Sequence, residues 1–299
     1  MRSSPSRLAS RPYSPRGLYL RRKAEHNLGV APEDGTSLRP AGSSVGGVLI
    51  AAYGVAAYVM FVLTFLYLIG FVADADFTVG SLHVVGKSID RGGLGDGTLT
   101  VMAVIIDVVL LALFAVQHSV MARAGFKRWW TRIVPPSAER STYVLASNIC
   151  LIALVAAWYP ITHDIWRVTA QPWRTVLTAT ALLGWVIALL STVLIDHFDL
   201  FGLRQVFDRL RGRRPAEHAF TTPFFYRVVR HPLYVGFLIA FWVTPRMTLG
   251  HLLFAVVATG YILLAVRLEE RDLIRVFGEQ YRDYRRRVPM LIPGLGGHP

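Results

Sequence analysis

Residues 45–72 read VGGVLIAAYGVAAYVMFVLTFLYLIGFV, 28 residues without a charged side chain. Wound as a helix rising about 1.5 Å per residue, such a stretch exceeds the roughly 30 Å hydrocarbon core of a bilayer. Three further blocks repeat the pattern: Leu99–Val116, Thr142–Tyr159 and Thr175–Ile195, of which only the first holds a charge, Asp107. Hydrocarbon offers the backbone no hydrogen-bond partner, so segments of this kind must bond within themselves as helices. The sequence therefore predicts an all-α, polytopic membrane bundle. Tyr143, Trp158, Tyr159 and Trp173 stand near block ends, where amphipathic rings favour the interface.

Composition agrees. Of 299 residues 53% are hydrophobic and 17% charged, and mean hydropathy is +0.43. Soluble domains carry about a quarter charged residues, so a water-soluble globule is excluded. The one cysteine, Cys150, excludes an intrachain disulfide, a CxxC redox pair and a cysteine-ligated metal. Net charge is +13, nearly all of it arginine, since Lys23, Lys87 and Lys127 are the only lysines. In a membrane chain such charge belongs to cytoplasmic loops facing anionic lipid. Its arginines are not interleaved with a stacking array, so no nucleic-acid partner is expected.

Residues 1–44 hold eight basic and three acidic residues among many serines and prolines, with no apolar periodicity. They read as a disordered basic tail in the cytoplasm. No apolar stretch that would mark a cleaved signal peptide precedes residue 45. Residues 45–299 then form one membrane domain. Its C-terminal part contains an 11-residue apolar run, Leu233–Val243, bracketed by Pro232 and Pro245, followed by Leu249–Val266. Proline prevents extension of the first run, so the pair reads either as a helical hairpin dipping into the membrane or as two unequal spans. Basic residues alternate along the loops: five in 121–141 and seven in 197–231, against two in 73–98 and one in 160–172. The 267–287 stretch again has seven. By the positive-inside rule both termini are cytoplasmic.

Two signals carry little. Gly92-Gly93-Leu94-Gly95-Asp96-Gly97 looks like part of a nucleotide loop, but no strand precedes it, and it reads as a turn. The nine histidines leave no facing pair within the spans for a haem, and no metal site is expected.

The polar residues gather on the inner face. Pro232 forces His231 out of helical geometry and starts a helix behind it. The free N–H groups of that first turn favour an anion, with Arg230 and His231 at the same spot. Gly236, one turn on, leaves room for a flat group or another backbone. Glu269 and Glu270 return on the paired helix about 100° apart, so at most one faces inward cleanly. A positive helix start beside a carboxylate suits an amino-acid zwitterion. The alternative makes Arg230 and His231 ordinary interfacial anchors and pairs Glu270 with Arg267 three residues back.

Arg230-His231-Pro232-x-Tyr234-x-Gly236, Glu269-Glu270-x-x-Leu273 and Phe277-Gly278-x-x-Tyr281-x-x-Tyr284 resemble the isoprenylcysteine carboxyl methyltransferase and phospholipid methyltransferase superfamily, over about 218–293. The resemblance implies an integral membrane enzyme using S-adenosylmethionine. It places the cofactor in the 197–293 part, on the segment Arg230, His231, Pro232, Leu233, Tyr234 and Gly236, with Tyr226, His218, Glu269 and Glu270. Gln117-His118-Ser119, the His197–Gln205 segment and Phe241-Trp242-Val243-Thr244-Pro245 with Gly250-His251-Leu252-Leu253-Phe254 are similar to the methanethiol S-methyltransferase family, from about residue 45 to the end. This implies a small-thiol substrate, methanethiol converted to dimethyl sulfide, in a bacterial inner membrane. Other acceptors of the same superfamily chemistry are another thiol, a prenylcysteine carboxylate or a lipid amine.

An alkyl thiol is a few per cent ionised or less at neutral pH. A base or cation should therefore stand near the sulfur, and the candidates are Arg267, His118, His197 and Asp107. Asp107 is costly within a membrane. It lies three helical turns from His118, so the two share a helix face; a packing aspartate is the equal alternative. A small-solute transporter would show an internal repeat and broken helices near the midplane; the sequence has no repeat, and its polar cluster falls at one interface only.

Overall fold

In a computed structural model, residues 45–75, 78–79, 82–83, 86–91, 100–213 and 220–294 are described. The basic tail 1–44, the glycine-rich turn 92–97 and His218 lie outside them.

The protein is a polytopic helical bundle. Its helices are α1 (Val45–Val72), α2 (Thr100–Met121), α3 (Ala124–Trp130), α4 (Pro136–Ala157) and α5 (Trp173–Ile195). The short α6 (His197–Leu200) and α7 (Leu203–Leu210) follow, then α8 (Pro232–Trp242), α9 (Leu249–Phe277) and α10 (Glu279–Arg287). Five of these, α1, α2, α4, α5 and α9, are long and apolar enough to cross a membrane; α8 is the short apolar helix. The four expected spans appear with ends shifted by a few residues. The 249–266 block continues as one helix to Phe277, because no proline or glycine breaks it before Gly278.

Between helices in lipid, close approach has to come from small side chains. A Cβ on Gly236 would stand 2.5 Å from the Gly184 carbonyl oxygen and 2.6 Å from the Ala188 nitrogen; one on Gly184 would meet the Gly236 oxygen at 2.6 Å. Helices α5 and α8 thus touch backbone to backbone, antiparallel. Around this seam Phe71, Leu154, Trp158, Trp185, Phe241 and Phe254 form the main core, while Leu63, Leu113, Leu183 and Leu264 point outward, as residues facing lipid must.

Short strands hold the outer ends, and the sequence pattern does not reveal them. β1 (Thr78–Val79) pairs with β2 (Leu82–His83). β3 (Asp164–Arg167) pairs antiparallel with β4 (Arg246–Thr248), Asp164 opposite Thr248 and Arg167 opposite Arg246. The Leu249 N–H donates to His163 O (2.8 Å) and the Gly250 N–H to Ile161 O (3.0 Å). The turn between α8 and α9 therefore lies on the face of the 160–172 loop.

Depth follows from the same seam. Gly184 is at the middle of α5, and Gly236 is opposite it. Pro232, four residues earlier, begins α8 roughly 6 Å inward of that midpoint. The start of α8 is thus sunk into the bundle, and the preceding chain, including the 3₁₀ turn Phe224–Arg227, descends to meet it.

A buried polar network ties the outer turn. Asp90 Oδ2 is 3.2 Å from His251 Nδ1, both side chains being wholly buried. The Thr248 hydroxyl donates to Asp90 Oδ1 at 2.6 Å. His251 Nε2–H donates to the Phe241 carbonyl at 3.0 Å. Arg246 donates to Asp90 O (3.2 Å) and to Asp164 Oδ1 (2.8 Å).

Candidate methyl-donor site

His231 precedes α8 at φ −128°, ψ 63°, and Pro232 occupies the first helical position, where its missing N–H and fixed φ cost nothing. Being outside the helix, the two residues before it pair with the C-terminal segment. Arg230 N–H donates to Pro289 O at 2.9 Å and His231 N–H to Met290 O at 3.2 Å. The side chains turn the other way, toward α9. Arg230 Nε donates to Glu270 Oε1 at 2.7 Å, and its Nη1 donates to Arg285 O at 3.0 Å and to Val288 O. His231 Nε2 lies 3.2 Å from the same Glu270 oxygen, and its Nδ1 lies 3.8 Å from Glu269 Oε2. The Tyr234 hydroxyl donates to Glu269 Oε2 at 3.2 Å.

Arg230, His231 and Glu270 are buried, at 9%, 5% and 8% exposure. That decides between the two readings of the motif. Arg230 is no interfacial anchor, and Glu270 pairs with Arg230 rather than with Arg267, which is exposed. Glu269, the neighbour 100° round the helix, is exposed at the rim yet reaches the other side of the His231 ring. Tyr226 packs beneath: its hydroxyl donates to Ser191 O at 3.4 Å, its carbonyl accepts from the Tyr284 hydroxyl at 2.6 Å, and burial pushes its phenol well above the usual range. Pro232 is buried and Leu233 half-buried beside them. Gly236 is corrected: its open side is filled by the Gly184 backbone, so the glycine serves helix packing and does not line the site.

Two carboxylates and a cation bonded to one of them form a donor and acceptor set that suits a zwitterion, while the Tyr234 and Val235 N–H groups at the start of α8 are given to the His231 carbonyl, at 3.1 and 3.2 Å. Among the described residues no three His, Cys, Asp or Glu side chains stand together as a metal site.

The four candidates for handling the thiol are scattered. Asp107 accepts the Tyr159 N–H at 2.9 Å through Oδ1, and its Oδ2 is buried without a hydrogen bond. It caps the outer exit of α4, where burial lowers the Lys87 ammonium's affinity for its proton and Asp107 opposes that effect. His118 shares that helix face but lies about 16 Å further along the axis, between the Tyr143 hydroxyl (2.7 Å) and the Ser147 hydroxyl (3.1 Å). His197 bridges Tyr58 (2.9 Å) and Thr192 (2.8 Å). The Thr192 hydrogen goes to Leu189 O, so His197 Nδ1–H donates to Thr192 and Nε2 accepts from Tyr58; burial lowers its pKa and keeps it neutral. Asp107 is thus committed to a backbone contact, and His118 and His197 each lie between two hydroxyls.

Tyr281 and Tyr284, to which the sequence motif assigns no role, stand i, i+3 on one face of α10, and both are buried against Phe220 and Phe277.

With this arrangement in place, similarity to other proteins becomes informative. The chain is 49% identical over 247 residues to methanethiol S-methyltransferase 2 of Bradyrhizobium diazoefficiens, covering 82% of this chain and 90% of that one. It is 50% identical over 245 residues to methanethiol S-methyltransferase of Mycobacterium tuberculosis, covering 82% and 96%. The chain belongs to the methanethiol S-methyltransferase family. A more distant relative is nurim of Sus scrofa, 31% identical over 176 residues, 56% of this chain and 66% of that one. No family model matches, and no solved structure matches. Membership of the family makes the protein, a multi-pass helical bundle, a methyltransferase.

Proposed function

We propose that the protein transfers a methyl group from S-adenosylmethionine to a small thiol, methanethiol first, releasing dimethyl sulfide. The observation that carries the thiol is the near-half identity, over four fifths of the chain, to proteins named for that substrate. The observation that supports the donor is the convergence of Glu269, Glu270, His231 and Tyr234 at one point. Residues 45–299 carry the activity, with the donor held in the 197–293 part, and 1–44 is a cytoplasmic tail outside it.

Bound at this site, S-adenosylmethionine supplies an electrophilic methyl carbon on a cationic sulfur. The protein's part is placement. His231 and Tyr234 orient the donor against Glu269 and Glu270, between α8 and α9. Alignment of nucleophile and methyl at about 3–3.5 Å provides most of such a catalyst's advantage. Methanethiol partitions into apolar media and reaches the site through the bilayer. His118 is a candidate for accepting the thiol proton. Purified protein given S-adenosylmethionine and methanethiol should release dimethyl sulfide into the headspace. Methylation of a prenylcysteine or a lipid amine, with no dimethyl sulfide, would leave only the superfamily chemistry standing.

Topology follows the charge alternation, with both termini in the cytoplasm of a bacterial inner membrane. An even number of crossings fits this, since α8 and α9 cross as a pair. Reporter fusions after Val72 and Tyr159 should read outside, and those after Val116, Ile195 and Arg287 inside. An outside signal at Arg287 refutes the arrangement.

A further inference from the structure

Tyr281, on the first turn of α10, is 1% exposed. Its ring packs with Tyr284 and Val288 against Phe220, Leu273 and Phe277. Its hydroxyl has no hydrogen-bond partner among the described residues. Tyr284, three residues on, donates to the Tyr226 carbonyl at 2.6 Å. The two tyrosines share a helix face, but only one hydroxyl is used inside the protein. Leaving a buried hydroxyl unbonded forfeits its hydration without replacing it, so a residue present for packing alone would be better as phenylalanine.

Geometry brings this turn of α10 to Glu270: Tyr281 shares its cluster with Leu273, one helical turn from Glu270 on α9, and Arg285, one turn beyond Tyr281, approaches Glu270 Oε2 to 3.9 Å. Burial raises the phenol well above its usual range, so it remains a donor. Glu270 has capacity to spare. Its Oε1 receives Arg230 and His231, whereas the nearest cation to Oε2 is Arg285, 3.9 Å away and beyond hydrogen-bond reach. A donor and an acceptor thus share one neighbourhood without bonding each other. A ligand carboxylate only accepts, and Glu270 repels it. A ligand ammonium only donates, and leaves the phenol hydrogen unpaired. A hydroxyl does both at once.

We propose that Tyr281 and Glu270 together bind a ribose hydroxyl of the adenosyl methyl donor, Tyr281 donating to its oxygen and Glu270 accepting its hydrogen. This rests on the donor named under the proposed function.

Calorimetric titration and thermal melting of the full chain in detergent test it, with wild type and Tyr281→Phe. The probes are S-adenosylhomocysteine, 5′-methylthioadenosine, which lacks the amino-acid end, and the 2′,3′-dideoxy form of the latter. The variant should melt no lower than wild type without ligand, since an unpaired group has gone. It should bind both ribose-bearing probes about tenfold more weakly and the dideoxy probe as wild type does. Unchanged affinity for all three overturns the proposal and leaves the hydroxyl to a buried water. A loss confined to S-adenosylhomocysteine overturns it in favour of the amino-acid end, and an equal loss with the dideoxy probe reduces Tyr281 to a packing role. If wild type binds neither ribose-bearing probe, the donor assignment fails and this inference with it.

Discussion

Glu270→Ala is expected to abolish methyl transfer and to destabilise the protein by about 3–5 kcal/mol, the cost of leaving a buried guanidinium without its partner. Glu270 Oε1 holds Arg230 at 2.7 Å and His231 at 3.2 Å, and through Arg230 the carbonyls of Arg285 and Val288. The carboxylate therefore fastens α9, the start of α8 and the chain after α10 at one point. Glu270→Gln separates binding from folding. An amide keeps an acceptor for Arg230 and similar volume but removes the charge, so the protein should still fold in membranes. Hydrogen bonds to charged groups contribute about 1.5–3 kcal/mol, so affinity for S-adenosylhomocysteine should fall at least tenfold. Wild-type affinity in the glutamine variant, measured by calorimetry, would make Glu270 a structural residue only.

The second large effect is expected far from the donor. Asp90→Ala removes the carboxylate that faces His251 Nδ1 and accepts the Thr248 hydroxyl. His251 Nε2 is committed to the Phe241 carbonyl, so no rotation of the ring recovers the loss. The expected cost is again about 3–5 kcal/mol, read by chemical unfolding in detergent. Asp90→Asn keeps an oxygen for Thr248 and should lose less. Because the network clasps the turn between α8 and α9, the folded fraction of either variant should bind S-adenosylhomocysteine as wild type does. Wild-type stability in Asp90→Ala would mean the turn is held by the β3–β4 pairing alone.

These two sites differ in how far they were legible in advance. The Arg-His-Pro and Glu-Glu motifs announce a site because a proline-started helix and a carboxylate pair are local features with their own chemistry. Which partner Glu270 chooses is not local. Arg267 is one helical turn away along the chain, yet the partner is Arg230, 40 residues back, because the chain entering α8 buries Arg230 beside α9 whereas Arg267 is exposed. The Asp90–His251 pair spans 161 residues, and aspartates in an outer loop carry no pattern that names the histidine they will meet.

What the sequence determined by itself is the helical membrane architecture, since the need of a backbone in hydrocarbon to satisfy its own hydrogen bonds acts segment by segment and shows in uncharged runs such as 45–72. It also located the polar inner region, since prolines and charges mark where such runs must stop. Tertiary structure decided the rest. It sank the start of α8 below the inner surface, gave Gly236 to the Gly184 backbone instead of a ligand, dispersed Asp107, His118 and His197 to separate contacts, and left Tyr281 with an unused hydroxyl beside Glu270. Each of these depends on which helix lies against which, and that is set by small-residue seams and buried charge pairs between segments remote in the chain, where hydropathy along the sequence has no bearing.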